Sequence, residues 1–441
     1  MPHLLLNRFT LSLLKINNKK TYTLYMTAYI LTVGDEILIG QITDTNSAWM
    51  AQQLNLQGIQ IIGKTSVGDV HSEIVNTIDY ALHQADLVLM TGGLGATKDD
   101  ITKKAIADYF GMQMVWHQPT FDRMSFFFKK INREVGDMNK NSCYMPSDAT
   151  ILNNDKGLAP GMWFQHGKKV LVSMPGVPYE MQHLMTDRVL PRLRQSFPMS
   201  PIVHRTVLTA GEGETMLAEK LSAFEDKLPE NVKLAYLPSL GTVRLRLTAR
   251  GEDEAFLNTQ LDALKTEMES VVEYAVAGYN DDTMPKVIGQ MLRERGLRIG
   301  SAESCTGGYL AHLLTSVAGS SEYFEGSIIA YSYDLKEKLL GVSSNVLNTE
   351  GAVSENCVRE MVHGAVERMG VDIAVAVSGV AGPGGGTPEK PVGTVWLAVG
   401  NKERTITAKL GIDRGRLKNI EYAANSGLNL IRKFLLQKEK V

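Results

Sequence analysis

The sequence predicts an α/β protein in which two regions of alternating strands and helices flank a small α+β module. Apolar, strand-like runs occur at residues 29–33, 59–62 and 86–90, with helix-like segments between them. This alternation is typical of a parallel sheet covered by helices. The same alternation returns from Leu297 onward. With 441 residues, the chain is long enough for two to three domains that each bury a core.

The composition indicates an ordinary globular enzyme. The formal net charge is -2 and long basic runs are absent from the sequence, so neither nucleic acid nor an anionic membrane is expected as a partner. The three cysteines, Cys143, Cys305 and Cys357, are an odd number without CxxC spacing. This pattern argues against a disulfide framework or a zinc cluster, and it favours the reducing cytoplasm.

Residues 1–25 are expected to be an extension outside the first domain, either disordered or the result of a start assigned too early. Their apolar run, 4–14, is interrupted by Asn7 and Arg8 and is followed by lysines. A signal peptide has the opposite order, and a transmembrane helix needs a longer apolar run. Met26 immediately precedes the first convincing strand, so we expect the fold to begin there.

Prolines and changes of pattern divide the remaining chain. Pro198 and Pro201 follow the last helix of the first alternating region. The next segment has strand-like runs at 205–209 and 243–249 around helices, which predicts the small α+β module, and an acidic, proline-containing linker near Asp281 ends it. The predicted domains are 26–199, 200–277 and 278–441. In the last domain we expect a helix from Thr306, strands at 327–331, 372–377, 393–400 and 404–410, helices at 334–340 and 354–369, and a long helix after Asp413.

Polar turns follow the first and third predicted strands, which places them at the sheet edge where open α/β sheets bind ligands. The first turn carries Asp35 and Glu36, and the second is the glycine loop 91–95, followed by Asp99 and Asp100. A glycine loop can cradle phosphates, and carboxylates can hold a hard divalent cation. Metal-assisted hydrolysis of a pyrophosphate is the chemistry that this combination suggests. As an alternative, one of the two aspartates caps the following helix.

A second candidate site begins at residues 302–308, Ala-Glu-Ser-Cys-Thr-Gly-Gly, between an apolar strand and an apolar helix. Such a junction holds a side chain at the sheet edge and aims backbone N–H groups at an anion. Ser304 and Cys305 are the candidate nucleophiles for an amide hydrolase. The alternative is a tight turn with a capping Ser or Thr.

A serine nucleophile needs a base to remove its proton. None of the histidines in the last domain lies in a glycine-rich loop, whereas Tyr331 and Lys336 lie where a strand passes into a helix. A lysine serves as base when burial or a nearby charge lowers its pKa. The alternative for Lys336 is a solvated helix residue.

Two further features lie downstream. Residues 378–386 form a glycine-rich loop directly after an apolar strand, where consecutive backbone N–H groups could hold a phosphate or an oxyanion. The loop could instead merely connect two strands. Arg414 stands at the beginning of the final predicted helix and offers a cation beside the positive end of the helix dipole.

These C-terminal segments, together with 351–355 and 390–396, resemble the CinA family, whose C-terminal domain is a nicotinamide mononucleotide deamidase. The resemblance implies that water replaces the amide nitrogen of nicotinamide mononucleotide, giving nicotinate mononucleotide and ammonia without a metal or other cofactor. It implies that Ser304 is the nucleophile, Lys336 the base, and Tyr331 a group that assists proton transfer. The predicted oxyanion-binding and substrate-binding residues are Glu303, Cys305, Thr306, Gly307, Gly308, Gly379, Gly382, Gly385 and Arg414.

The N-terminal motifs resemble the molybdopterin-binding fold, and with segments 157–161 and 174–178 they resemble the CinA N-terminal domain. The resemblance implies ADP-ribose pyrophosphatase activity with a divalent metal such as Mg, Mn or Co. The predicted phosphate-binding residues are Gly92, Gly93 and Gly95, and the predicted metal ligands are Asp35, Glu36, Asp99 and Asp100. The middle module would match the KH-like domain of the family, but its acidic glycine loop 211–214 argues against RNA binding.

The leading hypothesis is therefore a bifunctional enzyme of pyridine nucleotide salvage, acting on small-molecule nucleotides as a cytoplasmic homodimer without a membrane partner. The first alternative is a non-catalytic pterin-binding or nucleotide-binding protein in which both sites have become regulatory. The second alternative is a DNA-binding partner in competence, which the charge of the chain opposes.

Overall fold

The computed structural model describes residues 26–95, 97, 100–197 and 200–437. These residues divide into two compact units, one ending at Ile202 and the other beginning at Val203. The predictions for residues 1–25 and for Asp99 fall outside the described residues. Within the described part of the chain, no helix has the length and apolar character that a bilayer crossing requires.

The first unit is built on a six-stranded sheet with the strand order β2-β1-β3-β8-β7-β6. Its strands are β1 (Thr27–Val33), β2 (Gln60–Val67), β3 (Leu87–Thr91), β6 (Thr150–Leu152), β7 (Gly161–His166) and β8 (Lys169–Met174), and β4 (Met114–Trp116) pairs separately with β5 (Tyr144–Pro146). Its helices are α1 (Asp35–Leu38), α2 (Thr45–Leu56), α3 (His71–Gln84), α4 (Thr102–Phe110), α5 (Gln118–Lys130), α6 (Asp137–Asn141), α7 (Pro178–Leu184) and α8 (Leu190–Ser196), with a π-helical turn at Met185–Val189 between the last two.

The predicted parallel sheet is confirmed for β2, β1, β3 and β8, whereas β7 and β6 run antiparallel to their neighbours. The difference arises at Gly167, because the short connection from β7 to β8 can only produce an antiparallel hairpin. Strand β3 is buried along its whole length and is apolar up to its last residue, Thr91, as expected when helices cover both faces of a sheet. Helices α2 and α7 cover one face, and α3 and α4 cover the other.

The second unit begins with the predicted α+β module, whose sheet has the order β10-β11-β9-β12. Its elements are β9 (Ile202–Ala210), α9 (Glu214–Glu225), β10 (Val232–Ser239), β11 (Thr242–Arg250), α10 (Glu254–Val272) and β12 (Val276–Tyr279). Strand β11 alternates strictly between buried and half-buried residues, which shows that one face of the sheet carries the core. Helices α9 and α10 pack on that face.

The C-terminal region is a five-stranded sheet with the order β14-β13-β15-β16-β17. Its elements are α11 (Met284–Arg295), β13 (Ile299–Glu303), α12 (Tyr309–Thr315), β14 (Phe324–Ile329), α13 (Tyr333–Leu340), α14 (Ser344–Thr349), α15 (Glu355–Met369), β15 (Ile373–Gly379), β16 (Thr394–Gly400), β17 (Thr405–Gly411) and α16 (Arg416–Leu436). Helix α15 packs on one face, and α11, α12 and α16 pack on the other.

Three parallel strands, β14, β13 and β15, bring their carboxyl ends to one sheet edge. Glu303 pairs with Ile329 on one side and with Val377 on the other. The segments that follow these strands are therefore neighbours, although they lie far apart in the sequence. These segments are the turn at 304–308 that contains Ser304, helix α13 that contains Lys336, and the glycine-rich loop 378–386.

Helix α16 connects this sheet to the α+β module. Arg432, near its carboxyl end, is 2% exposed and donates to the backbone oxygens of Val276 at 2.7 Å and Tyr274 at 3.4 Å. Burial lowers the pKa of Arg432 from its ordinary value. A buried guanidinium is tolerated only with such acceptors, so the helix is fixed against the module.

Candidate active site

The turn at 304–308 is held between two strands and a helix. The N–H of Ser304 donates to the backbone oxygen of Val377 at 2.9 Å, which anchors the turn to β15. Gly307 and Gly308 have φ angles of 58° and 99°, a left-handed region that glycine enters without strain. Because these two residues remain in the turn, α12 begins at Tyr309 rather than at the predicted Thr306.

Lys336 and Ser304 form a buried pair. The Nζ atom of Lys336 lies 3.0 Å from Oγ of Ser304, 2.7 Å from the backbone oxygen of Ala330 and 3.3 Å from that of Tyr331. The lysine is 0% exposed and the serine 7% exposed. A neutral amine can satisfy this arrangement, because two N–H groups donate to the carbonyls while the lone pair accepts the serine O–H.

Lys336 is positioned by the first turn of α13, which has an N-cap residue. Ser332 caps α13 by accepting from the N–H of Leu335 at 3.2 Å, and Lys336 follows one residue later on the face that turns inward. Burial lowers the pKa of Lys336 from its ordinary value, and this shift favours the neutral form that a general base needs. The alternative of a solvated lysine is therefore wrong.

Glu303 is the last residue of β13, and its carboxylate reaches the N-terminus of α12. Its carboxylate is 0% exposed and accepts from the N–H groups of Gly308 at 2.9 Å, Leu310 at 3.1 Å and Ala311 at 2.8 Å. The chain thus places its own anion where the sequence suggested a substrate anion. Glu303 stabilises the turn that carries the nucleophile.

Two of the predicted oxyanion donors, the N–H groups of Gly307 and Gly308, already have acceptors within the protein. The N–H of Gly308 donates to Glu303, and that of Gly307 donates to the backbone oxygen of Ser304 at 3.1 Å. Among the described residues, the N–H groups of Cys305 and Thr306 have no acceptor on another residue. They are therefore the N–H groups of this turn that remain available to an oxyanion.

Cys305 is unsuited to the role of nucleophile. Its side chain is 7% exposed, and burial raises the pKa of its thiol to about 12. A thiol must ionise to attack, and this one remains protonated near neutral pH. The structure therefore favours Ser304 over Cys305.

Tyr331 contributes to the pair through its backbone, whose oxygen accepts from Lys336. Its side chain is 61% exposed, and in the described part of the chain its hydroxyl has no hydrogen-bond partner. The geometry gives this hydroxyl no contact with Ser304. A role for Tyr331 in proton transfer stays a prediction.

The glycine loop after β15 is tied to the first turn of α16. Asn419 donates from Nδ2 to the backbone oxygen of Ala381 at 3.1 Å, and Arg416 donates to that of Gly382 at 2.6 Å. Gly382 and Gly385 have φ angles of 85° and 83°, which explains why glycine stands at both positions. At Gly379, a Cβ atom would lie 2.6 Å from Cγ2 of Val395, so that glycine permits close strand packing.

Arg414 lies near this loop but directs its guanidinium elsewhere. The group stacks 3.9 Å from the ring centre of Tyr422 and donates to the backbone oxygen of Ile412 at 3.1 Å. The arginine that contacts the loop is Arg416, and Asn419 is the second residue that the sequence reasoning missed. Their position in the first turn of a long helix beside the loop was the available signal.

The N-terminal motifs meet in a cleft of about 720 Å³ at the carboxyl ends of β1, β3 and β8. Glu36, Asp100 and the three predicted phosphate-binding glycines all line it. The lining carboxylates are Glu36, Asp44, Asp69, Asp100 and Glu180. None of the described lining residues is Lys or Arg, so the cleft is acidic. Its volume is within the range of small-molecule sites.

Two of the predicted metal ligands hold loops together. Asp100 accepts from the N–H groups of Gly95 at 2.7 Å and Thr97 at 2.8 Å, and also from the hydroxyl of Thr97. It therefore fixes the glycine loop and does not cap α4. Asp35 and Asp69 each accept from the other's backbone N–H at 3.2 Å, which joins the turns after β1 and β2.

The described residues do not assemble a metal centre. No group of three or more His, Cys, Asp or Glu side chains among them is placed to hold a metal ion. Burial raises the pKa of Asp69, and the charges of Asp35, Glu36 and Asp100 raise it further, against a backbone hydrogen bond that lowers it. Metal binding at this cleft stays a prediction.

Comparison with known proteins assigns all three regions to families. Residues 29–195 match a probable molybdopterin binding domain, residues 204–278 the damage-inducible protein CinA KH domain, and residues 281–435 the CinA C-terminal domain. The predicted fold class is confirmed by these matches.

The matching relatives extend over most of the chain. A CinA-like protein of Cytophaga hutchinsonii is 43% identical over 92% of this chain and 98% of its own length. A CinA-like protein of Flavobacterium psychrophilum is 40% identical over 93% of this chain and 99% of its own length. The solved structure of competence/damage inducible protein CihA from Agrobacterium tumefaciens is 38% identical over 35% of this chain and 94% of that chain, with a TM-score of 0.34. The chain belongs to the CinA family.

Proposed function

We propose that the C-terminal region is an amidohydrolase that converts nicotinamide mononucleotide to nicotinate mononucleotide and ammonia. The observation that carries this proposal is the 3.0 Å contact between Lys336 Nζ and Ser304 Oγ in a buried setting. A serine beside a lysine of lowered pKa is a known form of activated nucleophile. The substrate identity comes from the family resemblance.

The proposed reaction begins when neutral Lys336 takes the proton of Ser304 and Oγ attacks the carboxamide carbon. The N–H groups of Cys305 and Thr306 donate to the resulting oxyanion, a contribution of roughly 100- to 1000-fold in rate per donor. When the C–N bond breaks, Lys336 returns the proton to the leaving nitrogen, and ammonia departs. Lys336 then deprotonates a water that attacks the acyl-serine, releasing the carboxylate and restoring Ser304.

The phosphate end of the substrate requires a separate site. We propose that Gly382, Gly385 and the first turn of α16 provide it, with Arg416 nearer to the loop than Arg414. Backbone N–H groups and a guanidinium are suitable partners for a phosphate. Tyr331 retains its proposed role in proton transfer.

The direct test is to incubate the purified protein with nicotinamide mononucleotide and to measure ammonia and nicotinate mononucleotide together. We expect equal amounts of the two products, and no loss of rate in the presence of a chelator. Saturable binding without turnover would support the alternative of a non-catalytic nucleotide-binding protein.

A second activity is favoured by the N-terminal cleft, where a glycine loop lies among carboxylates. We propose that this cleft binds ADP-ribose and hydrolyses its pyrophosphate, with a divalent metal as the cofactor. The test is AMP release from ADP-ribose with Mg, Mn or Co added one at a time, and with a chelator as the control. Binding without AMP release would leave only a ligand-binding role.

We further propose a cytoplasmic homodimer. The three cysteines are free thiols, which supports a reducing compartment. Light scattering coupled to size-exclusion chromatography measures the assembly, and we expect twice the chain mass of 48.5 kDa. A single chain mass at micromolar concentration would contradict the dimer.

A further inference from the structure

Glu303 places a buried negative charge beside the nucleophile. Its side chain is 0% exposed. One oxygen, Oε2, accepts from the N–H groups of Gly308 and Leu310, and the other, Oε1, accepts from that of Ala311. Because an N–H group can only donate, both oxygens act as acceptors, which is the pattern of an ionised carboxylate.

Two hydroxyl groups complete the surroundings of this carboxylate. The Oγ atoms of Ser301 and Ser327 lie 3.2 Å and 3.4 Å from Oε1 of Glu303, and 2.8 Å from each other. These partners are neutral, and no Lys, Arg or His in the described part of the chain forms an ion pair with Glu303. The charge is therefore held by hydrogen bonds, without a cation that neutralises it.

The turn at 304–308 connects this charge to the reacting group. In the proposed reaction, the substrate carboxamide lies at Oγ of Ser304, whereas the carboxylate of Glu303 binds the N–H groups at the other end of the turn. Because the two residues are consecutive, their Cα atoms are about 3.8 Å apart, which puts the carboxylate on the order of 8–10 Å from the reacting carbon. Burial keeps out the salt that would screen such a charge.

The proposed reaction changes the charge at the reacting group by one unit. The carboxamide of nicotinamide mononucleotide is neutral, whereas the carboxyl group of nicotinate mononucleotide is ionised near neutral pH. Lys336 does not offset the new charge in the neutral form that burial favours by lowering its pKa. A fixed negative charge nearby therefore opposes the product more than the substrate.

We propose that Glu303 is a specificity-determining residue that disfavours binding of the carboxylate product relative to the carboxamide substrate. The inference rests on the proposed amidohydrolase function and extends it to product release. Two unit charges about 8–10 Å apart, at an effective dielectric constant of about 20, change an affinity roughly 15- to 30-fold. The N–H donors at α12 offset part of the charge of Glu303, so the expected effect is about tenfold.

The test compares the two nucleotides in calorimetric binding to full-length Ser304→Ala, in which turnover is prevented. Adding Glu303→Gln should strengthen binding of nicotinate mononucleotide about tenfold relative to nicotinamide mononucleotide. The new amide keeps one acceptor for α12, and its NH2 group can donate to the hydroxyls of Ser301 and Ser327. Glu322→Gln, at an exposed position, is the control and should leave the ratio of the two affinities unchanged.

An unchanged ratio, or equal weakening of both nucleotides, would overturn the proposal, because a purely structural role of Glu303 affects both ligands alike. If thermal unfolding shows that the Glu303→Gln protein is not folded, the mononucleotide of 3-acetylpyridine decides on the Ser304→Ala protein. This ketone has the shape of the acid without its charge. Binding of the ketone about tenfold tighter than the acid would support the proposal, and equal or weaker binding would overturn it.

Ammonia release by the wild-type protein separates this inference from the function on which it rests. Release of ammonia with an unchanged ratio of affinities would leave the amidohydrolase standing and remove the role of Glu303. A shifted ratio without release of ammonia would contradict the amidohydrolase and leave the discrimination by charge standing. Absence of binding for both nucleotides would overturn both proposals.

Discussion

The two candidate sites occupy equivalent places, at the carboxyl ends of parallel strands. They differ in the charged groups that they contain and in whether those groups have partners. The C-terminal pair is buried, and the partners of Lys336 are a hydroxyl and two carbonyls. The N-terminal cleft is open and has five lining carboxylates with no described cation among its lining residues. Its predicted anionic ligand therefore depends on a cation supplied with it, whereas the C-terminal pair is already arranged to move a proton.

The largest expected effect separates the two sites. Ser304→Ala should reduce ammonia release from nicotinamide mononucleotide by at least about 1000-fold, because it removes the nucleophile. AMP release from ADP-ribose should be unaffected. Both products are measured on one protein preparation.

Cys305→Ala is the matched control for that substitution, because it changes the adjacent residue and should keep most of the ammonia release. If Cys305→Ala abolishes the reaction while Ser304→Ala retains it, the nucleophile has been misassigned.

Removing the base should have the next largest effect. Lys336→Met keeps an unbranched chain of similar length but cannot accept a proton, so kcat should fall roughly 100- to 1000-fold. Lys338→Met is the control, because that lysine is on the same helix with 69% of its side chain exposed. Steady-state kinetics measure both variants, and equal losses would argue against a specific role for Lys336.

The pH dependence should report the lysine as well. Burial lowers the pKa of Lys336, and only its neutral form accepts the serine proton. Below that pKa, kcat/KM should therefore rise about tenfold per pH unit and then level off below the ordinary lysine pKa. A profile that is flat from pH 6 to 9, or one that falls with increasing pH, would contradict a lysine base.

The smallest expected effect concerns the other site. Asp100→Asn retains one acceptor for the glycine loop but loses the second, so binding of ADP-ribose should weaken about tenfold. Ammonia release should not change. Loss of both activities would indicate that the substitution unfolds more than the loop.

The sequence was sufficient to predict which strands end at the same sheet edge and to identify Ser304 and Lys336 as catalytic candidates. A parallel sheet brings strand ends together, so Ser304 and Lys336 could be placed at one edge without coordinates. Burial of Lys336 could not be predicted, since its environment depends on the packing of α13 against α15. Short-range spacing alone favours a solvated lysine at that position.

The structural roles of several residues could not be predicted from the sequence, because these roles depend on hydrogen bonds between separate segments. A capping glutamate usually precedes its helix closely, but Glu303 reaches across a five-residue turn to α12. Asp100 looked like a helix cap, yet its carboxylate turns back to the glycine loop. Arg416 is the first residue of α16, whereas Arg414 precedes the helix, and the sequence alone does not show which of the two guanidinium groups contacts Gly382.

Helix α16 is held at both ends, by Asn419 against the glycine loop and by Arg432 against the α+β module. Each residue of an α-helix adds a rotation of roughly 100°. A single insertion between these two positions would therefore turn one anchor away from its acceptors. The number of residues between Asn419 and Arg432 is therefore constrained. An insertion between them that leaves every side chain of the site unchanged would still break the contact of α16 with either the loop or the module.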